Sequence, residues 1–101
     1  MERHFDEELK ELNNDILRMV AYAEEAIYKS IESLKDRDKA IAKSVIDNDV
    51  KVDELELAID EKCIDLIARH QPMAKDLRFI TTGMKINAEL ERIADIAVDI
   101  A

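Results

Sequence analysis

The sequence predicts an all-α protein, an antiparallel up-down-up bundle of three long helices. Three observations carry that expectation. The 101 residues include one Gly and one Pro, two where average usage would give about twelve, so the chain has few tight turns to spend. It is 48% hydrophobic and 39% charged, a balance that suits amphipathic helices rather than disorder. Its apolar residues recur at spacings of three and four. The length allows one domain with one core and rules out a second.

Helix one is expected over about 3–35. Its seam reads Phe5, Leu9, Leu12, Ile16, Met19, Ala23, Ile27 and Leu34, with Ser30 and Ile31 filling the gap. The polar corner Lys35-Asp36-Arg37-Asp38 ends it, and Asp38 is placed to N-cap the next helix. Helix two follows over about 38–70, with the seam Ile41, Val45, Asn48, Val52, Leu55, Ile59, Cys63 and Leu66 reaching His70. Gln71-Pro72 ends it, because a residue before proline is disfavoured in the helical region. Helix three is expected over about 74–101, with Asp76 in its first turn, where the helix dipole favours an acid. Its seam reads Phe79, Gly83, Ile86, Leu90, Ile93, Ala97 and Ile100, and Gly83 on that face allows close helix approach. The period is still running at Ala101, which leaves open a fraying end or a longer protein.

The charge balance limits the partners. With 24 acids against 15 Lys and Arg the net charge is −9, which argues against a nucleic-acid backbone and favours cations or basic protein surfaces. One cysteine, Cys63, forms no internal disulfide. No apolar run approaches the ~18 residues of a membrane helix, so no membrane insertion is expected. Met1 to Asp6 has no apolar stretch of the signal-peptide kind, and the expectation is a cytoplasmic protein.

The acids are not scattered. Asp49, Asp53, Glu56 and Asp60 stand at i, i+4, i+7 and i+11, which confines them to an arc of about 60° on helix two. Helix three carries Glu91, Asp95 and Asp99 beside its apolar seam. Counted from the corner at Met73, Asp53 is 20 residues back and Glu91 18 forward, while Asp49 is 24 back and Asp95 22 forward. In an antiparallel pair those levels agree to about 3 Å. Carboxylates brought together repel one another, and oxygen-preferring cations such as Mg, Mn, Ca and Fe relieve them. In a chain this acidic, such a stripe is ordinarily a solvated face.

Three blocks change that balance. The run Asp49-Val-Lys-Val-Asp53-Glu-Leu-Glu56-Leu-Ala-Ile-Asp60, then Ile67-Ala-Arg-His-Gln71-Pro72-Met-Ala-Lys-Asp76-Leu77-Arg78, then Ala88-Glu-Leu-Glu91-Arg92-Ile93-Ala94-Asp95 resembles the PhoU family of phosphate-uptake regulators. The resemblance covers nearly the whole chain and implies one three-helix repeat of a family whose chains carry two in tandem. It also implies an acid-x-x-x-Asp motif in each repeat, paired motifs holding multinuclear iron or zinc clusters. On that basis Asp49, Asp53, Glu91 and Asp95 are the expected metal ligands, with Glu56 and Asp99 as additional candidates. Divalent or ferric ions are the expected cofactors, with Mg or Mn as further options. Ala94 stands where the family commonly has Gly, a change that suits a helix. The resemblance implies a non-enzymatic regulator linking a phosphate-importer ATPase to a sensor histidine kinase, cytoplasmic but held near the inner membrane by those partners.

Other residues point to less. Neither His4 nor His70 has a Glu three residues before it, against a di-iron oxidase of the Glu-x-x-His kind. Cys63 reads as a buried small hydrophobe. Arg92, beside Glu91, is an alternative compensator of the acids. A metal-dependent enzyme and a structural helical module without metal remain the competing functions, the first disfavoured by the lack of a nucleophile or phosphate-cradling Gly loop. The chain is expected to self-associate, because Gly83 and the open end of helix three leave a face to cover.

Overall fold

The computed structural model describes residues 2–101. It consists of three helices, α1 (Glu2–Asp36), α2 (Lys39–His70) and α3 (Ala74–Ile100), lying together in a rod 53 × 18 × 15 Å. At 1.5 Å per residue the 35 residues of α1 span the whole rod. The two- and three-residue corners therefore reverse the chain twice, and α1 and α3 run parallel.

The ends of the helices follow local chemistry. Asp38 has extended backbone, and its Oδ1 accepts from the amides of Ala40 (2.9 Å) and Ile41 (3.2 Å), satisfying two donors of the first turn of α2. The amide of Asp38 donates to the Ser33 carbonyl at 3.0 Å and closes α1, with Arg37 in the left-handed region at φ 52°. Gln71 ends α2 in the same region at φ 46°, immediately before Pro72. Both corners use non-glycine residues in a conformation that favours glycine, since the one Gly lies elsewhere.

The core is built from Leu12, Met19, Val52, Leu55, Ile59, Cys63, Leu66, Ile80 and Ala94, with Phe5, Leu9, Ile16, Met84 and Leu90 packed against it. Helix two keeps its expected seam from Val45 to Leu66, except that Asn48 is exposed. Two corrections apply to the others. On α1, Leu34 is 68% exposed and Ser30 and Ser33 are buried in its place, their hydroxyls donating to the carbonyls of Ile27 (2.9 Å) and Ser30 (2.7 Å). Small side chains that satisfy themselves on their own helix can be buried without leaving an unpaired hydroxyl.

On α3 the inward line is Ile80, Gly83, Asn87, Ala94 and Ala97, not Phe79, Ile86, Ile93 and Ile100, which are 38–42% exposed. The two lines are neighbours on the helix, with the half-buried Leu90 between them. Small residues at the centre permit close approach, while the bulky ones close the groove from outside. Gly83 itself is covered, since a Cβ there would lie 2.9 Å from Ile16 Cδ1, so it leaves no open face.

Exposed apolar residues lie elsewhere, on a face between α1 and α3 and on a second line along α2, Ile46, Val50, Leu57 and Ile64. Glu8 and Asp15 turn one flank of α1 toward α2, where they meet Arg69 and Lys62. Glu91 and Asp95 turn one flank of α3 toward α2 as well. The opposite flanks carry Leu17, Ile31 and Leu34 on α1 and Phe79, Ile86, Ile93, Ile96 and Ile100 on α3, all exposed. Among the described residues no helix is long and apolar enough to cross a membrane.

Candidate metal centre

The acid arcs of α2 and α3 meet. Asp49, Asp53 and Asp95 each offer a carboxylate oxygen within 4.8 Å of the others. Glu91 stands one turn before Asp95 on the same helix, close enough to feel its charge, and the charges of Glu56 and Asp53 reach it from α2. The register counted along the sequence is therefore the register of the fold. Glu56 belongs to the group through Glu91. Asp99 is exposed and outside the three-acid group, and Asp60 lies further down α2, beside Cys63.

The electrostatics are those of uncompensated acids. Burial, reinforced by the neighbouring carboxylates Asp95, Glu56 and Asp53, pushes the Glu91 carboxyl up to about 7. Asp49 is also raised, by burial first and then by Asp53 and Asp95. Asp49 borders a cavity of about 120 Å³ whose wall combines Val45, Val52, Ala94 and Val98 with the polar Glu25, Lys29 and Lys51. Its Oδ1 is buried with no hydrogen-bond partner. Among the described residues no Lys, Arg or His pairs with Asp49, Asp53, Glu56, Glu91 or Asp95, so Arg92 is not their compensator.

This donor set fits a cation. Several carboxylate oxygens, one of them orphaned, and no thiolate or imidazole among the four acids suit a hard ion. Among the described residues neither the cysteine nor a histidine belongs to the three-acid group. Burial pushes the Cys63 thiol up to about 11, which keeps it protonated and unreactive. His4 and His70 both contact Glu8 Oε1 at 3.1 Å, and His70 is 17 residues beyond Asp53, about 25 Å along α2. Arg69 bonds the same Glu8 carboxylate and ties the end of α2 to the start of α1. That tie, the Lys62–Asp15 pair and the buried Asn87 were not singled out in the sequence. Each joins residues tens of positions apart or hides a polar residue on an apolar line, so no local pattern announces it.

Fold and site together define an acidic helical-bundle module with a carboxylate cluster shared by two helices. The chain belongs to the PhoU family: the model of the PhoU domain matches residues 16–101. It is 39% identical over 98 residues to the phosphate-specific transport system accessory protein PhoU homolog 1 of Thermotoga maritima, covering 97% of this chain and 42% of that protein. A PhoU homolog of Clostridium acetobutylicum is 44% identical over 98 residues, 96% of this chain and 45% of the relative. For PhoU of Escherichia coli K12 the figures are 39% over 93 residues, 92% and 39%. The chain thus spans about two fifths of the length of the curated relatives it matches.

Proposed function

We propose that this chain is a non-enzymatic regulatory module of a phosphate-specific transport system, and that Asp49, Asp53, Glu91 and Asp95 hold divalent or ferric ions between α2 and α3. The observation that carries the reading is the convergence of Asp49, Asp53 and Asp95, with Glu91 one turn from Asp95, no basic side chain among the described residues paired with them, and Asp49 Oδ1 buried and unbonded. Bound cations would neutralise the cluster and cross-link the two helices, stiffening the face presented to a partner. Glu56 is positioned to assist, and Asp99 is the weaker candidate.

The names of the relatives supply the transport context, and the net charge of −9 favours basic partner surfaces. A phosphate-importer ATPase and a sensor histidine kinase are the partners this reading implies, met in the cytoplasm beside the inner membrane. Catalysis is disfavoured because neither Cys63 nor the histidines stand at the cluster. The reading includes self-association through the apolar α1/α3 face, with a second copy of the chain as the occupant.

Elemental analysis and metal titration of the wild type and of E91N/D95N test the metal. The expected result is uptake by the wild type and none by the variant, with the metal-free variant as stable as the wild type or slightly more so, because repulsion is removed. A variant that unfolds while metal content is unchanged would make these acids structural and overturn the reading.

A further inference from the structure

Helix three is held differently from the other two. Lys62–Asp15, Arg69–Glu8 and His70–Glu8 tie α2 to α1 at several heights. Among the described residues, one hydrogen bond and no ion pair joins α3 to either neighbour: Asn87 Nδ2 donates to the Glu56 carbonyl at 2.9 Å. Asn87 is 1% exposed. Unlike the buried serines, which bond their own helix, it reaches across to another.

The rest of the inward line of α3 does little to define its position along the bundle. Ile80, Gly83, Ala94 and Ala97 are apolar and mostly small, and apolar contact has no direction. The Gly83 notch fits Ile16 and so locates α3 against α1, but no such notch or polar contact besides Asn87 locates it against α2 among the described residues. The acids oppose their own alignment, because bringing Glu91 and Asp95 level with Asp53 and Asp49 concentrates like charge. The short corner fixes the level of α3 against α2 only to about 3 Å, and a directional contact must fix it within that range before any cation arrives.

We infer that Asn87 is the positioning residue that sets the register of α3 against α2 and so aligns Glu91 and Asp95 with Asp53 and Asp49. Its placement suits the task. Asn87 is one turn before Glu91, and Glu56 lies three residues beyond Asp53, so the bond spans the two helices at the base of the carboxylate cluster. The cost is visible in the same side chain, whose Oδ1 is buried without a partner. A leucine would fill the space without that cost, as an aliphatic replaces the register-setting asparagine of a helical core with a gain in stability and a loss of uniqueness. The functional half of this inference rests on the metal reading above, while the register half stands without it.

The test separates them. In a C63A background, D60C/M84C places two thiols on the same lines as Asp53 and Glu91, seven residues lower, and D60C/A88C places them one turn out of register. Oxidation should cross-link the first pair and not the second. With N87L added, both pairs should cross-link. N87L without the cysteines should bind Mn²⁺ at least tenfold more weakly than the wild type while its metal-free melting temperature is equal or higher. An unchanged cross-linking pattern in N87L overturns the inference, whatever the metal affinity. A wild type that takes up no metal removes the metal reading and leaves the cross-linking to decide the register. Should N87L fail to fold, N87A serves the same comparison, since alanine keeps the helix and removes only the amide.

Discussion

A Cβ added to Gly83 would stand 2.9 Å from Cδ1 of Ile16, so α1 and α3 touch where α3 has no side chain. The contact is with the far end of a flexible side chain, which can shift for one methyl but not for a branched group. G83A is expected to be nearly neutral, since about 1 kcal/mol of helix propensity offsets the crowding. G83V should destabilise by about 1–3 kcal/mol through overpacking. Urea denaturation of the two variants beside the wild type reads the difference, and equal loss in both would show that the helices cannot shift at all.

Glu91 and Glu8 give the stability a maximum in pH. Glu91 is raised from 4.5 to about 7, so its contribution is complete below about pH 4.5 and is lost as pH rises through 7. Asp49, also raised, acts in the same direction. Glu8 is lowered to about 2, by its bond to Arg69 first and with help from His70. Its contribution is present above about pH 4.5 and lost as pH falls toward 2. The metal-free melting temperature is therefore expected to peak near pH 5 and to fall toward pH 7.5. E91Q should flatten the fall on the alkaline side. A wild-type curve that keeps rising from pH 5 to 7.5 would contradict this account.

Arg37 occupies the left-handed region at φ 52° while the Asp38 amide bonds Ser33 O at 3.0 Å, an arrangement in which glycine has no Cβ penalty. R37G is expected to stabilise the chain by about 0.5–1 kcal/mol, less than the full 1–2 kcal/mol of left-handed strain because glycine also loosens the unfolded chain. The shift is measurable as a higher melting temperature, and a lower one would mean that the Arg37 side chain contributes more than its backbone costs.

Ile86 and Ile93 stand 42% and 40% exposed on the α1/α3 face. I86K/I93K should leave helicity intact, because neither residue is in the buried line, and should convert a self-associating chain to monomers. Light scattering over a concentration series checks it. Wild-type chain that is monomeric throughout would remove self-association from the proposed function.

What the sequence determined by itself was everything local. The Asp38 cap, the break at Gln71-Pro72 and the three helices between them follow from residues a few positions apart. The shared arc of Asp49, Asp53 and Glu56 follows from the angle per residue, and its level against Glu91 and Asp95 follows, to about 3 Å, from counting two antiparallel helices away from one short corner. What only the tertiary structure decided was how far each helix is turned about its axis. Phe79, Ile86, Ile93 and Ile100 make a better apolar stripe than Ile80, Asn87, Ala94 and Ala97, yet the second line is inside. Small central residues permit close helix approach, and the rotation that puts them inside depends on all three surfaces at once. The same reason places Ser30 and Ser33 inside and Leu34 outside, buries Asn87 against a carbonyl 31 residues away in the chain, and leaves an apolar face between α1 and α3.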